Sequence, residues 1–250
     1  MTLGGGPDDA MADAARRLIV ALDFPSVDEA ARLADQLQGE VGVFKIGLEL
    51  VYAGGVDLAR DLADAGRRVF LDAKLLDIPN TVERAAATAA CLGVAYLTVH
   101  GTDRKTLDAA VRGRGSAPTK LLAITVLTSL DAADLQQQHI SLSPAELVVA
   151  RARLARDAGF DGVVASAQEA ASIRASVGDD FVIVTPGIRP TGTELADQSR
   201  VVTPAAAIAN GADYLVVGRP ITAAPDPLAA ARKIIAEMAS ARAKPSANAG

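Results

Sequence analysis

Eight short apolar runs recur along the chain at intervals of about thirty residues, each followed by a stretch of helical pattern. The runs are Leu18–Leu22, Val43–Ile46, Val69–Asp72, Ala95–Val99, Leu121–Val126, Gly162–Ala165, Phe181–Thr185 and Tyr214–Val217. They are rich in β-branched residues and Leu and apolar on both faces, as strands covered on both sides of a parallel sheet must be. The stretches between them carry helix punctuation. Ser26 with Glu29, and Ser143 with Pro144 and Glu146, are arranged as N-caps with a capping-box partner. Ala65-Gly66, Ala158-Gly159 and Asn210-Gly211 stand where helices end before the next strand. Eight strand–helix units predict a single-domain (β/α)₈ TIM barrel. The alternative, an open doubly wound sheet, lacks the G-x-G-x-x-G expected after its first strand.

Composition agrees with an aliphatic barrel. Half of the 250 residues are apolar, yet there is no Trp and only 5 Phe and 3 Tyr, so the core is built from Ala, Val, Leu and Ile. The barrel is expected over 16–240, between a Gly-rich flexible tail at 1–15 and a polar flexible tail at 241–250. The net charge of −5 is spread evenly, with no basic run interleaved with aromatics, which argues against a nucleic-acid partner. The single cysteine, Cys91, excludes an internal disulfide and a cysteine-rich metal site, and its Ala-rich surroundings predict a buried position. No apolar segment approaches the length of a membrane span. The first residues lack the basic start and apolar stretch of a signal peptide, so a cytoplasmic protein is expected.

Nearly every predicted strand ends in a polar, charged or glycine-containing group: Asp23, Lys45–Gly47, Asp72–Lys74, His100-Gly101, Thr128-Ser129, Ser166, Pro186-Gly187 and Gly218-Arg219. In a βα barrel those ends converge on one face, where active sites lie. Polar βα loops alone would account for Ser129 or Ser166. They do not account for Lys45 and Asp72, charges abutting apolar strands, because an unpaired buried charge is costly.

The segment VFLDAKLLDIPNT is the most informative. Asp72 and Lys74 lie two apart and share a face on an extended strand. Asp77 follows past the strand end, and Lys45 leaves the neighbouring strand. Two lysines and two aspartates are expected to alternate, keeping Lys74 protonated as a general acid; a purely structural salt bridge is the plainer alternative. A second group, ADYLVVGRP, sets Gly218 and Arg219 after the eighth strand, with Gly187 and Arg189 after the seventh. Barrels commonly bind phosphate there, and Arg offers a planar fork to phosphate oxygens. Taken alone, Arg219 would read as a solvated surface charge. The loop after the seventh strand, about fifteen residues long and carrying Asp197-Gln198, is long enough for a closing lid.

Together LIVALDFPS, VFKIGLEL, FLDAKLLDIPNTV, LTVHG, VLTS, GVVAS, VTPGIRP with DQSRVVTP, and ADYLVVGRPIT resemble the orotidine 5′-phosphate decarboxylases of bacterial type over residues 17–237. The resemblance implies decarboxylation of orotidine 5′-monophosphate to UMP without metal or organic cofactor. It implies that Asp23 binds the ribose and that Lys45 bridges ribose and the charged network. Asp72 then faces the substrate carboxylate, Lys74 protonates C6, and Thr128 lines the pyrimidine site. Arg189, Gln198, Gly218 and Arg219 close on the phosphate. It further implies a homodimer in which Asp77, with Ile78 and Thr81, reaches into the partner's site. His100 matches a strand-end histidine read as packed rather than catalytic. One departure is Leu76, where many bacterial relatives carry His; no proton transfer can rest on it. The rival readings are a metal-dependent sugar-phosphate decarboxylase or aldolase of the same superfamily, and a non-catalytic nucleotide-phosphate binding barrel. Lys45 opposes the first, because the related enzymes place a glutamate ligand there. The joint presence of Asp72, Lys74 and Asp77 opposes the second.

Overall fold

The structure is a computed structural model that describes residues 7–190 and 202–242. Eight parallel strands close on themselves in sequence order: β1 (Leu18–Ala21), β2 (Val43–Ile46), β3 (Val69–Leu75), β4 (Tyr96–His100), β5 (Lys120–Ile124), β6 (Gly162–Val164), β7 (Val182–Thr185) and β8 (Tyr214–Val217). Closure is by β1 on β8, with Ile19 opposite Val216. The expected (β/α)₈ barrel is therefore the observed one, and each strand lies within two residues of its sequence-predicted bounds except β3, which runs on to Leu75.

Helix α1 (Pro7–Arg17) precedes the barrel. The helices α2 (Val27–Gln36), α3 (Leu48–Leu50), α4 (Val56–Asp64), α5 (Pro79–Cys91) and α6 (Arg104–Arg114) follow the first four strands. A π-helical turn, Val51–Gly55, joins α3 to α4. The second half carries α7 (Ala132–Gln137), α8 (Pro144–Asp157), α9 (Ala170–Val177), α10 (Pro204–Ala209), α11 (Arg219–Thr222) and α12 (Pro227–Arg242). Ser143 and Glu146 form the reciprocal capping box at α8, whereas Ser26 caps α2 from one side only. Gly66, Gly159 and Gly211 all hold positive φ just past a helix end, a conformation costly for residues with a Cβ.

Strand alternation divides the core into two clusters. Ile19, Ala21, Val43, Phe70, Tyr96, Leu122, Val184 and Val216 fill the barrel interior, while the opposite strand faces pack under the helices. At the end remote from the strand C-termini Tyr96 and Tyr214 close the interior, edge to face with ring centroids 5.7 Å apart. The Arg68 guanidinium lies 5.4 Å from the Tyr96 ring centroid and 5.5 Å from that of Tyr214, and hydrogen-bonds both hydroxyls. Burial pushes the Tyr96 hydroxyl well above its ordinary pKa, so it stays protonated.

Two expectations are corrected. Cys91 is exposed, not buried: it ends α5 on the face away from Val82, Ala86 and Ala89, which pack on the barrel. Residues 7–15, assigned by composition to a flexible tail, lie in α1, which begins with Pro and two acids, a favourable helix start.

Candidate active site

The C-terminal ends of β1, β2 and β3 bring four charges into one row. Lys45 Nζ is 2.9 Å from Asp23 Oδ1 and 3.7 Å from Asp72 Oδ2, and Lys74 Nζ is 2.6 Å from that same Asp72 oxygen. The order Asp23–Lys45–Asp72–Lys74 alternates in sign. Lys45 and Asp72 are each only 8% exposed, so the contacts between opposite charges in the row stand in for the water they have lost. Within one chain two lysines thus alternate with two aspartates, Asp23 and Asp72, and Asp77 stands outside that row. The β1–β2 register, Ala21 opposite Lys45, explains this, since the chain leaving β1 carries Asp23 past the end of β2.

Lys74 does not reach Asp72 along a regular strand. Its φ is +48°, a left-handed conformation that costs a residue with a Cβ about 1–2 kcal/mol, and the β3–β4 register shifts between Leu71 and Leu75. Thr98, on β4, meets this irregularity. Its Oγ1 accepts the Lys74 N–H at 2.9 Å and donates to Asp72 Oδ1 at 2.9 Å. Sequence reasoning passed over Thr98, although the signal was present: it is the one polar residue inside LTV and shares the inward face with Tyr96. Gly47 was also passed over as a residue in its own right. A Cβ there would stand 2.8 Å from Lys45 Nζ and 2.9 Å from Asp23 Oδ1.

Two adjoining hollows open beside the row and share Lys45, Asp72, Pro186 and Val216. One is mainly apolar and is lined by Lys74, Ile124, Val126, Thr128 and Val164. The other is polar, with Asp23, Gly187, Arg189, Gly218, Arg219 and Thr222 on its walls. Arg189 is buried, and its backbone N–H bonds Val202 O at 3.1 Å beside an Ile188–Val202 bridge. Gln198 and Asp197 lie outside the described residues.

Asp77, Ile78 and Thr81 are not brought into either hollow. All three are exposed, on the turn between β3 and α5 and the first turn of that helix. His100 ends β4, half-buried; burial first, then Lys74 and Arg151, lower its pKa, while Asp72 opposes them. Among the described residues no group of three or more His, Cys, Asp or Glu side chains gathers to hold a metal ion, and no helix is long and apolar enough to cross a membrane.

The closed parallel barrel, with its charged row and hollows at the C-terminal strand ends, has the architecture of the (β/α)₈-barrel enzymes. Within that class the chain belongs to the orotidine 5′-phosphate decarboxylase / HUMPS family, whose sequence profile matches residues 16–234. It is 56% identical over 228 residues to the orotidine 5′-phosphate decarboxylase of Methylobacterium nodulans, covering 90% of this chain and 96% of that one. Identity to the enzyme of the same name from Afipia carboxidovorans is 54%, over 89% of this chain and 94% of the relative. The crystal structure of orotidine 5′-phosphate decarboxylase from Lactobacillus acidophilus superposes with a TM-score of 0.79 at 38% identity, covering 89% of this chain and 99% of that one.

Proposed function

We propose that the chain decarboxylates orotidine 5′-monophosphate to UMP and CO₂, in the synthesis of pyrimidine nucleotides, with its own side chains as the only catalytic groups. The observation that carries this reading is the Asp23–Lys45–Asp72–Lys74 row at the junction of an apolar and a polar hollow. Cleavage of the C6–carboxylate bond leaves its electron pair on C6, where no adjacent carbonyl can delocalise it. A fixed ammonium beside C6 stabilises that charge as it develops and then supplies the proton. Lys74 has this role, and Asp72 faces the departing carboxylate. Asp23 and Lys45 hold the ribose, and Thr128 borders the pyrimidine in the apolar hollow. Arg189, Gly218 and Arg219 hold the phosphate in the polar one, with Gln198 closing over it.

The functional unit in this reading is a homodimer. Leu48, Tyr52, Leu76 and Ile78 are 43, 88, 55 and 67% exposed, all on the segments leaving the adjacent strands β2 and β3. Large apolar side chains grouped at one place on a surface favour association. Pairing two copies there brings Asp77, Ile78 and Thr81 of each to the mouth of the other. The exposed thiol of Cys91 fits a reducing, cytoplasmic setting.

Loss of orotidine monophosphate absorbance, followed with and without a chelator, tests the reaction. Turnover unaffected by chelator is expected. Lys74→Ala is expected to lower kcat at least about 10³-fold with an unchanged circular dichroism spectrum. A folded Lys74→Ala protein of near-wild-type activity, or turnover abolished by chelator, would overturn the mechanism.

A further inference from the structure

Among the described residues that line neither of the two hollows, Thr98 alone ties Asp72 to the backbone that carries Lys74. We propose that Thr98 is the positioning residue of the active site: one hydroxyl on β4 fixes both the Asp72 carboxylate and the left-handed turn that aims the Lys74 ammonium. The inference rests on the reading that Asp72 and Lys74 flank the reacting carbon.

Three observations carry it. First, Thr98 is fully buried and absent from the walls of both hollows, so it acts through Asp72 and Lys74 and not on a ligand. Second, its hydroxyl is used in both directions, accepting the Lys74 N–H and donating to Asp72 Oδ1, each at 2.9 Å. A hydroxyl has this dual capacity, and a methyl group of the same size has neither half of it. Third, Lys74 sits at φ +48° in a strand whose register breaks there, so its N–H has left the regular ladder and finds its acceptor in Thr98. Left-handed residues of this kind persist only where the surroundings over-determine them.

The division of labour within Asp72 follows. Oδ2 is taken by the two ammonium groups, at 2.6 Å to Lys74 and 3.7 Å to Lys45. Oδ1 is taken by Thr98, which stops the carboxylate from rotating about its Cβ–Cγ bond. Without the hydroxyl, Asp72 gains rotational freedom, the Lys74 N–H loses its acceptor, and the turn relaxes toward regular strand geometry, swinging Nζ away. Misplacement of a catalytic group by about 1 Å costs on the order of 10²-fold in rate.

The test compares wild type with Thr98→Val, Thr98→Ser, Thr98→Ala and Lys74→Ala, reading kcat and the inhibition constant of UMP. Thr98→Val keeps the shape and loses the hydroxyl: kcat is expected to fall about 10–100-fold while UMP binding stays within about threefold. Thr98→Ser keeps the hydroxyl and is expected within about threefold of wild-type kcat. A Thr98→Val enzyme with wild-type kcat overturns the inference, as does a Thr98→Ser enzyme no better than Thr98→Ala. If Thr98→Val does not fold, the Ser–Ala comparison decides on the same terms. Lys74→Ala separates the two levels. Full activity there removes the underlying reading, whereas an inactive Lys74→Ala beside an unimpaired Thr98→Val removes the positioning role alone.

Discussion

The Asp77 carboxylate is turned onto its own chain, Oδ1 accepting the Ile78 N–H at 2.6 Å, on an exposed turn that lines a separate hollow with Lys74 and Thr81 and not the apolar one shared by Lys74 and Asp72. In the homodimer reading proposed above, Asp77 serves the site of the second copy. Lys74→Ala and Asp77→Ala subunits, each inactive alone, are therefore expected to complement when mixed. Every mixed dimer holds one site with both residues intact, so random re-association at equal amounts should restore about a quarter of wild-type activity. Mixed dimers that form and stay inactive would refute the shared site.

Gly47 sits over the Lys45–Asp23 ion pair, with 2.8 and 2.9 Å from an added Cβ to the two charged atoms. A methyl group fits only if that pair opens, and Lys45 is buried among partners that hold it. Overpacking of this kind costs about 1–3 kcal/mol. Gly47→Ala is expected to lower kcat/KM several-fold, because the atoms that must give way are the charged ends of Lys45 and Asp23. Unchanged kinetics would show that the pair has slack.

The barrel was legible because its two signals are local: apolar runs of strand length, and caps and glycines at helix ends. The inward face of β3 was legible too, since alternation places Phe70, Asp72 and Lys74 together. What alternation cannot show is the positive φ of Lys74, because the hydroxyl that meets it comes from β4, 24 residues away. The second aspartate of the row within one chain was hidden for a similar reason. Asp77 is near Lys74 in sequence, but the aspartate that completes the row is Asp23, brought to Lys45 through the pairing of β1 with β2. Cys91 was misplaced because an Ala-rich helix carries a weak amphipathic signal, and burial of one face leaves little mark on PNTVERAAATAAC.

His100 gives the fold a pH dependence of definite sign. Its native pKa lies below the ordinary 6.5, through burial first and then the nearby Lys74 and Arg151, with Asp72 opposing. Between the lowered native value and 6.5 the unfolded chain holds a proton that the native one does not, so stability rises with pH across that interval. It is lost as pH falls from 6.5 toward the native value. Urea unfolding of wild type and His100→Gln at about pH 5 and pH 7.5 isolates the contribution. Wild type is expected to lose more stability than the variant on acidification, and equal losses would contradict the assignment.

Arg219 leaves β8 behind Gly218 and lines the polar hollow with Arg189, while Lys74 lines the apolar one. If that hollow grips the phosphate, Arg219 acts at a distance from the bond that breaks, and its removal should be felt only by substrates carrying the phosphate. Losing a charged hydrogen bond there is expected to cost about 2–4 kcal/mol in kcat/KM for orotidine monophosphate. Part of that loss would arise if phosphate binding drives closure, because remote binding energy is then expressed at the reacting centre. Orotidine, which lacks the phosphate, has nothing for Arg219 to hold and should react at nearly equal rates with wild type and Arg219→Ala. Two enzymes and two substrates form a cycle that isolates the pairwise interaction from any general damage to the barrel. Equal factors for both substrates would make Arg219 a structural residue of α11 and move the phosphate elsewhere.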